Sequence, residues 1–258
     1  MKALAIINQK GGVGKSTTAL NIGAGLILKG FSVLYIDLDA QGNLSYTMGA
    51  TTSGYNAFGV IQRPETVAEE IQHTPQGDII ASSPSLSQAD ITIKETGKEY
   101  RLKEALEMLG GVYDFAIIDT PPALGILTIN ALTACSGVII PTLAEVYSLQ
   151  GISQIYNTIQ TVKKYCNHNL KIEGILITRF SGRSIIKREI AEALEERARS
   201  IDTKLYKTKI RECTALIEAQ AKRRDIFSYA PKSNAAADYK ALVAEILENK
   251  GEEDNGRQ

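Results

Sequence analysis

Cysteine is scarce in this chain: three in 258 residues, Cys135, Cys166 and Cys213, all far apart. No C-x-x-C pair occurs, so neither a zinc nor an iron–sulfur site is signalled. Reduced thiols of a cytosolic protein are expected. Net charge is missing as well: 29 basic and 29 acidic residues cancel, so the chain as a whole implies no polyelectrolyte partner. No apolar run approaches the ~20 residues that span a bilayer. The first apolar stretch begins so close to Met1 that a signal peptide has no room. With no internal repeat and no linker, a single domain over residues 1–250 is expected, followed by a polar, fraying tail at 251–258.

The balanced charge is unevenly distributed. Residues 1–178 hold 12 basic and 15 acidic side chains, a net of −3. Residues 179–240 hold 15 basic and 9 acidic, a net of +6, and the last 18 return to −3. A basic carboxy-terminal third suggests an anionic surface partner, with an ordinary solvated face as the plainer alternative.

What is present first is alternation of strand-like and helix-like segments, the pattern of a doubly wound, mostly parallel α/β sheet with helices on both faces. Strands are expected at Ala3–Asn8, Ser32–Ile36, Asp78–Ser82, Phe115–Ile118, Gly137–Pro141 and Lys171–Thr178. Helices are expected at Ser16–Lys29, Thr66–Gln72, Arg101–Leu109, Ile126–Ala134, Leu149–Lys164, Ser184–Arg199 and Asn234–Glu248. The segment Ala50–Arg63, rich in Gly, Ser and Thr, reads as loop.

Between the first strand and first helix lies Gln9-Lys10-Gly11-Gly12-Val13-Gly14-Lys15-Ser16-Thr17. A glycine loop joining strand to helix is a phosphate cradle, because its amides and the helix N-terminus converge on an anion. Lys15 would reach the β- and γ-phosphates, and Ser16 would hold Mg²⁺. The usual first glycine is replaced by a second lysine, Lys10. Two further strands end in carboxylates, at Asp37-Leu38-Asp39 and at Asp119-Thr120-Pro121-Pro122. In an open parallel sheet, ligands bind beyond such carboxyl ends. Asp119 is the expected Mg²⁺ ligand. No Glu or Gln adjoins it, so the water-positioning role moves to Asp39, while Asp37 reads as structural.

Three stretches, Lys10-Gly-Gly-Val-Gly-Lys15-Ser16-Thr17-Thr18, Asp37-Leu-Asp39-Ala-Gln-Gly-Asn43 and Asp119-Thr-Pro-Pro122, resemble the deviant Walker A family of P-loop NTPases. That family holds the ParA and Soj partition ATPases, MinD and the nitrogenase iron protein. Pro141–Glu145 through Ser148–Gly151, and more weakly Tyr229–Ser233 to Asp238-Tyr239, resemble the ParA/Soj branch.

The resemblance implies an ATP- and Mg²⁺-dependent ATPase, slow and partner-stimulated, that forms an ATP-sandwiched homodimer. It gives Lys10 a role in reaching the partner's phosphates, with Glu145 near the same interface. Gly11, Gly12, Val13, Gly14, Lys15, Ser16 and Thr17 would bind nucleotide, Thr17 at the α-phosphate, with Thr178 and Arg179 near the base. Ser16, Asp39 and Asp119 would hold the metal, and Lys10, Lys15 and Asp39 would serve hydrolysis. It further implies nonspecific DNA as partner, met by Lys187, Arg188, Lys204, Lys207, Lys209, Arg211, Lys222, Arg223 and Arg224, and a centromere-binding ParB-like protein.

Such a protein would work in the cytoplasm, on the nucleoid, in plasmid or chromosome segregation. A family ATPase that positions a non-DNA cargo is the alternative. The acidic carboxy terminus argues against a MinD-like membrane helix, and Cys135, in an apolar helix, against an iron–sulfur cluster. One stretch departs from the Soj pattern. Ile210-Arg211-Glu212-Cys213-Thr214-Ala215 lacks the proline and the arginine usual there.

Overall fold

Strands, helices and their connections alternate through the computed structural model, which describes residues 1–182 and 185–255, with side chains to Glu248. The amino-terminal half runs β1 (Lys2–Ile6), α1 (Lys15–Leu28), β2 (Val33–Asp37), α2 (Asn43–Met48), α3 (Ala57–Gln62), β3 (Ile71–Thr74), β4 (Gly77–Ile80) and α4 (Ala89–Thr92). It continues with α5 (Arg101–Met108), β5 (Phe115–Asp119), α6 (Ile126–Ala134), β6 (Gly137–Leu143), α7 (Ser148–Tyr165) and β7 (Lys171–Thr178). Last come α8 (Ile185–Ser200), α9 (Thr214–Ala221), α10 (Ile226–Tyr229) and α11 (Asn234–Asn255). The helix start expected at Ser184, just before α8, and the end of the tail lie outside the described residues.

One seven-stranded sheet has the order β3-β4-β2-β5-β1-β6-β7. Neighbours are parallel except β3 and β4. Both faces are covered, which is why the strands read as unbroken apolar runs. Leu4, Ile6, Tyr35, Phe115 and Ile117 pack with α1 and α11 on one side. Ala5, Ile36, Ile118 and Ile140 pack with α5, α6, α7 and α8 on the other.

Two glycines inside α1 explain how closely it seats. A Cβ on Gly23 would lie 2.2 Å from the Tyr35 ring, and one on Gly25 2.8 Å from Val243 of α11. A helix-interior glycine costs about 1 kcal/mol against alanine; here it lets α1 touch the sheet and α11 at once.

The helix expected at Thr66–Gln72 is corrected. Pro64–Thr66 is a single 3₁₀ turn, and Ile71–Thr74 is β3, the antiparallel edge strand. Pro75-Gln76-Gly77 makes the reversal, with Gly77 at φ +121°, and hairpin pairing with β4 overrides the helical spacing. The loop expected at Ala50–Arg63 contains α3, whose first turn is capped by Asn56 accepting from Phe58 N and Gly59 N. Six residues are too few for periodicity to reveal a helix.

Candidate functional site

The loop after β1 is fixed at both ends. Asn8 donates to Pro141 O on β6 (2.7 Å) and accepts from Lys10 N (2.9 Å). Val13 is buried, and its carbonyl accepts from the Thr178 hydroxyl (2.8 Å), which also reaches Thr142 O (3.2 Å). Thr178 thus supports the loop from the end of β7. Gly12 and Gly14 adopt left-handed φ of +75° and +83°, which turns successive amides toward a common centre. Gly14 caps α1 without a side chain, and the first turn of α1 carries no acid. The amides there are left to an anionic ligand.

Register brings the acids to that loop. Asp119 pairs with Ile6 of β1 on one side and Asp37 of β2 on the other. Asp37 and Asp119 are fully buried, and Asp39 is 9% exposed. The two buried acids differ. Asp37 accepts from Asp39 N (3.1 Å), Ser45 N (2.9 Å) and Ser45 Oγ (2.7 Å), so it organises the β2–α2 turn. Burial pushes its carboxyl up to about 6 against those hydrogen bonds. Neither carboxylate oxygen of Asp119 accepts a hydrogen bond of good geometry, although Ser16 and Lys15 both act on it. Burial drives its pKa well above the usual range, Asp37 adds to this, and Ser16 and Lys15 oppose it. Burial also lowers the pKa of Lys15, against the pull of Asp119 and Asp39.

An orphaned carboxylate facing Ser16 beneath a phosphate loop fits a divalent cation: it is a ligand whose partner the protein does not supply. Among the described residues no group of three or more His, Cys, Asp or Glu could hold a metal by itself. Mg²⁺ requires none, being bound through one or two carboxylates, phosphates and waters. Cys135 caps the end of α6 as a buried thiol, pushed up to about 12 by burial. No helix among the described residues is long and apolar enough to cross a membrane.

Lys10 and Glu145, 135 residues apart, form an ion pair with both side chains about half exposed, 46% and 47%. Val146 and Tyr147 beside them are exposed apolar side chains. Arg179 sits at φ +48° and faces Glu212 (3.5 Å).

Among the described residues, the cations of the basic third meet different neighbours. Arg188, Lys207 and Lys209 line a groove of about 380 Å³ with Glu192 and Glu195. Lys187 adjoins them on α8, and the ammonium groups of Lys204 and Lys209 lie over the Tyr206 and Phe180 rings. Lys222, Arg223 and Arg224 stand at the end of α9. There Arg223 covers the Tyr46 ring at 4.4 Å and Arg224 bonds Ser228 O. Arg211 is not a free cation: its guanidinium bonds both oxygens of Asp238 (2.6–3.1 Å), whose carboxylate also takes Arg211 N.

Several contributors were not singled out in the sequence. Asn8 and Ser45 hold the loop and Asp37, and Gln220 reaches Thr17. Lone polar residues carry no motif; only their tertiary partners identify them.

A family model described as an AAA domain matches residues 1–172. The sporulation initiation inhibitor protein Soj of Bacillus subtilis is 39% identical over 253 residues, 96% of this chain and 99% of Soj. The chromosome partitioning protein ParA of Caulobacter vibrioides is 34% identical over 254 residues, 96% and 94% of the two chains. Among solved structures, a cobyrinic acid a,c-diamide synthase from Mycobacterium smegmatis with bound ATP analogue and magnesium superposes with TM-score 0.83. It is 30% identical, over 96% of this chain and 94% of that one. A plasmid partition protein from Borrelia burgdorferi superposes with TM-score 0.76 at 25% identity, over 96% and 98%.

Proposed function

The chain belongs to the Soj/ParA family of P-loop ATPases, and from that premise we propose that it is an ATP-switched DNA-segregation protein. ATP lies in the β1–α1 loop, with its phosphates on the amides of Gly11 to Ser16 and on Lys15. Ser16, Asp39 and Asp119 are the groups that would hold Mg²⁺, which when bound neutralises charge on the β- and γ-phosphate oxygens. Asp39 positions the attacking water. One of its oxygens accepts from Gln41 N, and the other has no protein donor among the described residues, whereas Asp37 is fully engaged. The water oxygen bonds to the γ-phosphorus as the bond to the β–γ bridging oxygen breaks, and Lys15 stabilises the charge passing to the leaving group.

ATP closes a homodimer in which Lys10 reaches the partner's nucleotide. The observation that carries this reading is Lys10 itself. It is half exposed at the loop entrance and turned to Glu145 rather than folded over its own loop. The closed dimer binds DNA through phosphate contacts, to which Lys187, Arg188, Lys204, Lys207 and Lys209 contribute charge and Lys222, Arg223 and Arg224 a second group. A centromere-binding, ParB-like protein stimulates slow hydrolysis, and hydrolysis releases the dimer. The test is DNA retention with ATP, ADP and no nucleotide across a salt series, run beside light scattering on an Asp39→Ala variant. ATP-only dimers with steeply salt-dependent binding are expected. A variant that stays monomeric with ATP and ignores DNA overturns the reading.

A second reading follows from the internal pairing of Arg211 and the stacking of Arg223. With fewer free cations, the same ATPase would position a non-DNA cargo. ATP-dependent dimers that do not bind DNA at low salt would favour it.

A further inference from the structure

Thr17 lies in the first turn of α1, two residues past Lys15. Its hydroxyl accepts a 2.6 Å hydrogen bond from Nε2 of Gln220 on α9. A threonine hydroxyl has one proton to donate and two lone pairs to accept with. While Gln220 donates, that proton is not used on Gln220. It remains for an acceptor on the loop side, where the unpaired amides of α1 also face. We propose that Gln220 is a positioning residue that fixes the Thr17 hydroxyl as a donor to nucleotide phosphate, and so ties α9 to nucleotide occupancy. This rests on the reading that ATP occupies the loop and that Thr17 meets its α-phosphate.

The far end of α9 makes the tie consequential. Arg223 N bonds Gln220 O (3.0 Å) and Arg224 N bonds Ala219 O (2.9 Å), so the basic run hooks back onto the residues around Gln220. Arg223 takes a left-handed φ of +53°, a conformation a non-glycine residue keeps only where its surroundings over-determine it. They do so here. Its guanidinium lies over Tyr46 of α2, and its carbonyl accepts from Gln76 Nε2 (3.0 Å), which also donates to Thr47 O (2.6 Å). Helix α2 in turn hangs from Asp37 through Ser45. Asn21 adds a parallel strut, donating to Thr17 O (2.8 Å) and accepting from Ile226 N of α10 (2.8 Å). One short helix therefore spans the phosphate loop and the β2 strand end, and it finishes in Lys222-Arg223-Arg224.

The test compares ATP and ADP affinity, with Mg²⁺, in the full chain and in Gln220→Met, Gln220→Glu, Thr17→Val and the Gln220→Met/Thr17→Val double variant. Met keeps the volume without a donor. Glu offers only acceptors and captures the Thr17 proton. Gln220→Met should bind severalfold more weakly and Gln220→Glu at least tenfold more weakly. The loss should be the same for ATP and ADP, because both carry the α-phosphate. The double variant should bind no more weakly than Thr17→Val, since paired residues are not additive. Hydrogen exchange at saturating nucleotide gives a second readout. Nucleotide should slow exchange at residues 214–224 in the wild type and leave it unchanged in Gln220→Met, while residues 11–18 are protected in both. Wild-type affinities in Gln220→Glu, or additive losses in the double variant, overturn the inference alone. A wild-type chain that binds neither nucleotide removes the ATPase reading and this inference with it.

Discussion

The strand-end site and the basic third handle charge in opposite ways. At the ends of β1, β2 and β5, Lys15, Asp37, Asp39 and Asp119 are buried, and neither oxygen of Asp119 accepts a well-formed hydrogen bond. Between Arg179 and Lys240 the cations are largely on the surface, yet Arg211, Arg223 and Arg224 already have partners within the chain. An unpaired buried charge is costly and signals a missing ligand. A paired surface charge costs little and signals nothing by itself. Net charge of a segment is therefore a poor guide to a binding surface, whereas a few acids aligned by strand register are a good one.

The comparison breaks most visibly at Lys15. Lys15→Ala should lower hydrolysis by about 10²–10³-fold, measured as phosphate release at saturating Mg²⁺. A loss under fivefold would mean that the buried cation does not face the reacting phosphate.

Lys10→Ala should come next. Partner-dependent hydrolysis and ATP-driven dimerisation should be lost while monomer ATP affinity stays within about twofold, a dissection made by calorimetry and light scattering. Glu145→Gln, which frees Lys10, should shift dimerisation to lower protein concentration. Equal loss of monomer affinity and hydrolysis in Lys10→Ala would end the case for a lysine acting across the interface.

Asp119→Asn separates stability from function. Because burial penalises the Asp119 carboxylate, the amide should raise the Tm of the nucleotide-free protein, while Mg²⁺-dependent hydrolysis collapses. The sign follows from the raised carboxyl pKa. Between the unfolded carboxylate pKa near 4 and the folded value, about 6 for Asp37, the folded chain binds more protons than the unfolded one. Stability then falls as pH rises through that window. Asp119→Asn should flatten the fall, because burial and the neighbouring Asp37 both raise the Asp119 carboxyl and the amide does not titrate; an unchanged profile would contradict the burial argument.

The smallest effects fall in the basic third, and they sharpen the contrast there. Lys207→Gln and Lys209→Gln should each reduce the salt slope of DNA binding by about 0.9 with Tm almost unchanged. Arg211→Gln should do the reverse, lowering Tm because it breaks the tie to Asp238 while leaving the slope close to wild type. A slope change at Arg211 as large as at Lys207 would place Arg211 on the DNA face after all.

Much of this was legible in the residues. Apolar runs ending in Asp37 and Asp119 gave two central strands within a residue or so, because a strand buried on both faces tolerates little else. Gly11 to Thr17 gave the loop, since only glycines there accept left-handed φ. The edge hairpin was not legible. Its Thr66–Gln72 stretch is spaced like a helix, and only pairing with β4 decides otherwise. Nor could spacing show that Gln220 meets Thr17 or that Lys10 meets Glu145.

By itself the sequence determined the alternating α/β architecture, the phosphate loop and the candidate acids, since these depend on local backbone preference and on burial along each strand. Tertiary structure alone decided which acid is satisfied and which is left open, and which cations are committed. Those outcomes turn on side chains far apart in the chain, Asp119 beside Ile6 and Asp37, Arg211 against Asp238, and only sheet register and helix packing bring them together.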